Sequence, residues 1–349
     1  MGRVAERHVE ALGAPGRENT MSATSPPREG KMWAIVQDRY GSPDLLELRE
    51  IDRPAVGDDE VLVRVHAASV NASDWHLMQR FPHMIAKLLR MPASRVRGGD
   101  LAGHVEAVGT NVTSLKPGDE VFGVGRGSFA EYAATVEDRL APKPRNLTFE
   151  QAAAIPGAGC TALQGLRDQG RVAPGQTVLI YGAGGGVGTL AVQIAKSLGA
   201  HVTAVTNAEN REIMRSIGAD EVIDYTQEDF TRRGERYDVL FDIGADRPWA
   251  ECRRVLSPDG RIVHCGAPSG LLGKLALMFR TMRKARPGSR RLAYLARIRR
   301  DDLVALKDLA EAGTLAPVID RSYPLRDVPA AIAYVGTRQA RGKVVITVA

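Results

Sequence analysis

Cysteine is scarce in this chain. Cys160, Cys252 and Cys265 are the only three in 349 residues, and none has a second thiol close by in the chain. That excludes a disulfide framework and a four-thiolate zinc site, and it makes a reducing, cytoplasmic setting the expectation. Long apolar runs are also missing: the best candidate, residues 271–279, is broken by Gly273 and Lys274, so no transmembrane span is expected. The first twenty residues carry Arg3, Glu6, Arg7 and Glu10 without an apolar core, which argues against a secretory leader. There is no Gly-x-Ser-x-Gly elbow, no Lys-Ser/Thr pair closing a triphosphate loop, and no His-x-x-x-His pair with an adjacent glutamate. Serine hydrolysis, a Walker-type ATPase and zinc catalysis therefore lose support. His104 and Glu106 stand two apart, but a half-exposed strand face produces the same spacing.

What is present points to a folded, two-module protein. The length exceeds twice a typical domain, and 44% hydrophobic residues suffice to offset the entropy of ordering it. The net charge of +6 arises from 47 basic and 41 acidic residues, and nine of the basic ones fall in residues 280–300, where no acid occurs. The charge is thus local. It is expected to mark a basic helical insertion in the second module; the competing reading is a non-enzymatic anionic-surface or nucleic-acid binder.

Residues 1–30 offer little to bury and read as a flexible tail. From residue 31 to 154, short alternating apolar runs at 32–36, 61–65, 102–108 and 120–123, punctuated by turns such as Lys116-Pro117-Gly118-Asp119, indicate a β-rich, barrel-like module. Thr148-Phe149-Glu150-Gln151 begins a capped helix. Residues 155–300 then alternate buried strands (177–181, 201–205, 221–223, 238–243, 261–265) with helices (187–198, 209–217, 249–255), the pattern of a parallel sheet made of βα units. Residues 301–349 contain a helix and two strand segments and are expected to return to the first module.

The strongest motif is the strand-loop-helix Val178-Leu179-Ile180-Tyr181-Gly182-Ala183-Gly184-Gly185-Gly186-Val187-Gly188. Glycines there let a pyrophosphate approach main-chain N–H groups at a helix N-terminus. Gly182, Ala183, Gly185, Gly186, Val187 and Gly188 are accordingly candidate cofactor contacts. After the second strand stand Thr206 and Asn207 rather than an acid, with Arg211 available for a 2′-phosphate. This favours NADP(H), while Glu209 keeps NAD(H) open or serves as a helix N-terminal acid. Tyr225 is a candidate neighbour of the adenine ribose or an ordinary sheet-edge aromatic. Asp242, His264 and Gly266, at carboxyl ends of strands, are candidate walls of the nicotinamide half.

Ala68-Ser69-Val70-Asn71-Ala72-Ser73-Asp74-Trp75, Gly99-Asp100-Leu101-Ala102-Gly103, Lys116-Pro117-Gly118-Asp119-Glu120-Val121-Phe122, Ala130-Glu131-Tyr132 and the glycine loop together resemble the zinc-independent, quinone oxidoreductase-like branch of the medium-chain dehydrogenase/reductases. The resemblance spans nearly all of residues 32–348. It implies a GroES-like β-rich catalytic domain, a Rossmann doubly wound parallel sheet and a homodimer. Where zinc-bearing relatives place a cysteine and a Gly-His-Glu motif, this chain has Ser73 and Gly99-Asp100-Leu101. The resemblance also implies that Asn71 lies beside nicotinamide and substrate and that Lys343 contacts the cofactor region.

Asn71, Asp74 and Tyr132 are the catalytic candidates; Asp74 has the competing role of stabilising a turn. The expected reaction is metal-free hydride transfer from NADPH to a quinone or α,β-unsaturated carbonyl, with an NAD(P)-dependent alcohol or aldehyde dehydrogenase as the alternative. The partner is a small hydrophobic carbonyl or quinone, with no obligatory nucleic acid.

Overall fold

A computed structural model describes residues 26–78, 95–244, 247–265 and 290–348. Most of the tail expected over residues 1–30, together with residues 271–279, the first half of the basic stretch and Gly266, lies outside the described residues. In the first module, β1 (Lys31–Gln37) and β2 (Leu46–Asp52) form an antiparallel hairpin. Next come β3 (Glu60–Val70), the short helix α1 (Ala72–Leu77), β4 (Asp100–Val108), β5 (Glu120–Val124), β6 (Tyr132–Val136) and β7 (Leu140–Pro142). Central strand β3 pairs antiparallel with both β4 and β6. Val61, Val63, Val65, Leu101, Val121 and Phe129 close its core, each such burial contributing about 1.5–3 kcal/mol.

Two short helices cross to the second module, α2 (Phe149–Ala153) and α3 (Pro156–Leu163). The Thr148 cap forms as its sequence suggests: the Gln151 N–H donates to Thr148 Oγ1 at 3.3 Å, and the Thr148 N–H donates to Gln151 Oε1 at 3.0 Å.

β8 (Thr177–Tyr181), α4 (Gly186–Ser197), β9 (His201–Thr206), α5 (Arg211–Ser216), β10 (Glu221–Asp224), β11 (Tyr237–Asp242), α6 (Trp249–Cys252), β12 (Leu256–His264) and β13 (Arg291–Ala293) build the second module. Every neighbouring strand pair is parallel, in the order β10-β9-β8-β11-β12-β13. This is the doubly wound order whose direction of winding reverses beside β8, where such sheets open a ligand crevice at their carboxyl ends. α4 buries Leu190, Ala191, Val192, Ile194 and Ala195 against the sheet.

One expectation needs correction. Arg290–Arg299 is not helical: it is β13 followed by extended chain. The Arg290 side chain donates to the Gly260 and Ser257 carbonyls at 2.7 and 2.8 Å, and the Arg291 guanidinium lies 5.2 Å from the Trp249 ring centre. These cations serve the fold, not a basic face. β13 pairs along the strand expected over 261–265.

The chain then runs through α7 (Arg300–Glu311), β14 (Ile319–Pro324), α8 (Val328–Gly336) and β15 (Lys343–Thr347). α7 packs Leu303, Leu306 and Ala310 into the core of the parallel sheet. β15 instead pairs antiparallel with β3 and parallel with β14, so the C-terminus completes the first module.

Candidate functional site

The glycine loop leaves β8 at Gly182, whose φ of +87° is left-handed backbone that glycine adopts without strain. At Gly184 a Cβ would come within 2.5 Å of Thr206 Oγ1, so close passage of the two loops depends on its absence. No side chain caps α4 at Gly185. The first-turn N–H groups of α4 thus lack intrahelical partners and face the crevice, as an anionic group requires.

Gly182, Gly184, Gly185, Thr206, Asn207, Glu209, Asn210 and Tyr225 form one wall of a cleft of about 560 Å³; Arg321, Tyr334, Arg338, Gln339 and Arg341 form the other. Tyr225 is half-exposed there. The dinucleotide fits this donor set, with a glycine cradle and a helix N-terminus for the pyrophosphate and an open polar end for the ribose. Ala183 is fully buried, Val187 packs at the core margin, and Gly188 sits where a Cβ would strike the Gly182 and Ala183 carbonyls.

At its inner end the loop meets the first module. Gly185 forms a parallel bridge with Gly342, and a Cβ on Gly186 would lie 2.7 Å from Lys343 Cδ. The Lys343 ammonium, almost wholly buried, donates to Asn71 Oδ1 at 2.6 Å and the Val70 carbonyl at 3.3 Å, and stands 3.5 Å from Asp100 Oδ2. Asp100 Oδ2 also accepts from Asn71 Nδ2 at 2.8 Å and Ser69 Oγ at 3.0 Å, while its Oδ1 accepts the Gly157 N–H at 3.0 Å. Burial pulls the Lys343 ammonium below the usual lysine range, and Asp100 and Asp74 oppose that pull. With both ends of its amide engaged, Asn71 has one orientation.

Asp74 Oδ2 accepts the Asn71 N–H at 2.7 Å and caps α1. Although part of its surface is open, desolvation pushes its carboxyl up to about 7; the Asn71 N–H opposes this and Asp100 adds to it. Asp74 therefore stabilises a turn and also holds a proton that can move near neutral pH.

Other candidates fall elsewhere. Tyr132 sits in a separate small core with Met32, Ala34 and Leu62, its ring centre 4.1 Å below the Arg53 guanidinium, beside a different cavity of about 380 Å³. Its strand position, not its residue type, removes it from the Asn71 neighbourhood. Arg211 turns away from the cleft wall to Asp224, 3.9 Å distant. Asp242 and His264 form a buried pair, Oδ2 to Nδ1 2.7 Å. By strand alternation they share the sheet face of Leu240 and Ile262, opposite the face of Phe241 and Val263 that packs toward the first module. Neither lines the cleft. Asp100, Arg321, Tyr334, Arg338 and Arg341 went unassigned by sequence reasoning. Asp100 was detectable as an acid at the buried start of a mostly apolar strand, whereas the arginines carried no signal beyond their proximity to Lys343.

Comparison with known proteins agrees with this geometry. An alcohol dehydrogenase GroES-like domain model matches residues 57–145, and a zinc-binding dehydrogenase model matches residues 217–346. The chain is 34% identical to 2-methylene-furan-3-one reductase of Solanum lycopersicum, covering 97% of this chain and 84% of that protein. It is 35% identical to the chloroplastic NADPH-dependent alkenal/one oxidoreductase of Arabidopsis thaliana, over 94% and 82% of the two chains. The chain belongs to the zinc-independent medium-chain dehydrogenase/reductases. A quinone oxidoreductase structure from Coxiella burnetii superposes on it with a TM-score of 0.80 and 30% identity, over 91% of this chain and all of that one. The described residues contain no cluster of three or more His, Cys, Asp or Glu able to hold a metal ion. This medium-chain dehydrogenase/reductase is an oxidoreductase with an NAD(P)H cleft.

Proposed function

We propose that this protein reduces quinones or α,β-unsaturated carbonyls with NADPH at the inner end of the cleft, without a metal. One observation carries this reading: the N-terminus of α4 abuts the Lys343–Asn71–Asp100 network through Gly186 and the Gly185–Gly342 bridge. When bound, the reduced nicotinamide supplies the hydride. The chain's own residues position and polarise. Lys343 and Asp100 lock Asn71, whose remaining amide proton is free to orient a carbonyl oxygen as charge develops on it. Asp74, protonated in half the molecules near pH 7, is suited to deliver the proton that completes the reduction. The relatives named above act on the same substrate class, which supports the assignment.

Incubation of the purified protein with NADPH and a panel of enones, quinones and aldehydes tests it. NADPH oxidation by enones or quinones is the expected result. Turnover confined to aldehydes would move the protein to the alcohol dehydrogenase reading, and none at all would refute both. We further propose a homodimer joined along β13, the strand at which the parallel sheet ends among the described residues; sedimentation as a monomer at micromolar concentration would count against it. All three cysteines are free thiols, which supports a cytoplasmic location, and no described helix is long and apolar enough to cross a membrane. Fractionation of cells expressing the tagged protein tests the compartment.

A further inference from the structure

We propose that the arginines of the C-terminal segment, Arg321 and Arg341 foremost, select the coenzyme's 2′-phosphate, and that Glu209 is a resident counter-anion holding Arg341 until that phosphate replaces it. The proposal rests on the NAD(P)H cleft described above and deepens it. In a doubly wound sheet the residue that discriminates the two coenzymes is sought in the loop after the second strand. Here that loop contributes neutral Thr206 and Asn207 and the acid Glu209, while its cation, Arg211, is turned to Asp224. Taken alone, the loop would select NADH.

The opposite wall reverses that conclusion. Arg321, Arg338 and Arg341 all line the same cleft as Glu209 and Tyr225. Their placement is organised by Asp320, whose Oδ2 accepts both the Tyr334 hydroxyl at 2.7 Å and the Arg341 N–H at 3.0 Å. Tyr334 is in turn a platform for Arg321, whose guanidinium lies 4.0 Å from the ring centre. Arg338 sits at φ +61°, a left-handed conformation unusual for a side chain of its size, within the turn that brings Arg338, Gln339 and Arg341 to the cleft.

Glu209 is not free to grip a ribose. Its Oε2 lies 3.5 Å from Arg341 Nη1, across the gap between the modules. Both side chains are substantially exposed, 71% for Glu209 and 44% for Arg341, and an exposed pair of this kind is screened and weakly held. It is therefore cheap to exchange. A phosphate dianion offers Arg341 a bidentate acceptor in a cleft that Arg321 also lines, and charge-assisted bonds of that type are roughly twice as strong as neutral ones. The pair neutralises Arg341 in the free protein and yields it to NADPH. NADH, lacking the phosphate, has nothing to exchange.

Two readouts on the intact chain test this: the NADPH/NADH ratio of kcat/KM, and calorimetric binding of adenosine 2′,5′-bisphosphate against adenosine 5′-monophosphate. In Arg341→Gln the ratio should fall about tenfold, as expected for one lost charge-assisted contact plus an unmasked Glu209. In Glu209→Gln the ratio should rise several-fold, and Glu209→Gln with Arg341→Gln should lie above Arg341→Gln alone. Lys116→Gln, a remote surface charge, controls for net charge. An unchanged ratio in Arg341→Gln, or a Glu209→Gln protein whose main defect is weakened NADH use, overturns the proposal. Absence of turnover with retained, Arg341-dependent preference for the bisphosphate upholds it and counts against the proposed reaction instead.

Discussion

The two ends of the glycine loop meet opposite electrostatic settings. At the inner end Lys343 and Asp100 are both 2% exposed and both bond Asn71; Lys343 also donates to the Val70 carbonyl, and Asp100 also accepts from Ser69 and Gly157. At the outer end Glu209 and three arginines stand in or near solvent, joined by one loose pair. A buried charge that loses its partner is strongly destabilising, whereas an exposed one is screened. Rigidity therefore belongs where hydride and carbonyl must be aligned within fractions of an ångström, and exchangeable charge belongs where the coenzyme is chosen.

The sharpest way to break that contrast is Lys343→Met. It strands the Asp100 carboxylate in the interior and should cost about 3–5 kcal/mol of stability, read as a lower urea midpoint. Adding Asp100→Asn should recover part of the loss. If Lys343→Met unfolds no more readily than Arg341→Gln, the inner network is not the rigid end. Next in size is Gly186→Val, whose added Cβ would lie 2.7 Å from Lys343 Cδ. NADPH affinity measured by fluorescence titration should drop about tenfold or more, with a smaller loss of stability because the flexible lysine stem can shift.

Asp74 sharpens the comparison through pH. Its folded carboxyl titrates near 7, against an ordinary value of 3.8, so in that interval the folded chain holds a proton the unfolded chain has released. The contribution to stability is present below the unfolded value and is lost as pH rises toward 7, by up to about 2 kcal/mol once partial exposure is allowed for. Asp74→Asn keeps an acceptor for the Asn71 N–H and should flatten the melting temperature between pH 4 and 7; if Asp74 is also the proton donor, the variant loses the fall in kcat centred near pH 7. Tyr132→Phe should do least. It keeps the ring beneath Arg53, and kcat/KM is expected to stay within about twofold because the residue lies in another core.

Local patterns carried well. The strand-glycine-helix signal placed the cofactor loop because tight turns and helix starts are short-range physics, and the Thr148 capping box formed for the same reason. Asn71, singled out by its motif, lies in the Lys343–Asp100 network. Long-range side-chain partners were not legible: Asp242 and His264 pair with each other, and Tyr132 packs in a separate small core. Short edge elements failed similarly, since the basic stretch holding β13 reads as a helix in isolation and becomes a strand only because β12 offers it a partner.

By itself the sequence determined the fold class, the dinucleotide loop and a chain without zinc-ligand motifs, since these depend on spacing within some twenty residues. The tertiary structure decided the site. Asn71 and Lys343 meet across 272 positions because β15 pairs with β3, and Glu209 faces Arg341 because the C-terminal segment folds back over the second sheet's crevice. Such contacts are set by the closing of two sheets against each other, and no local propensity encodes them.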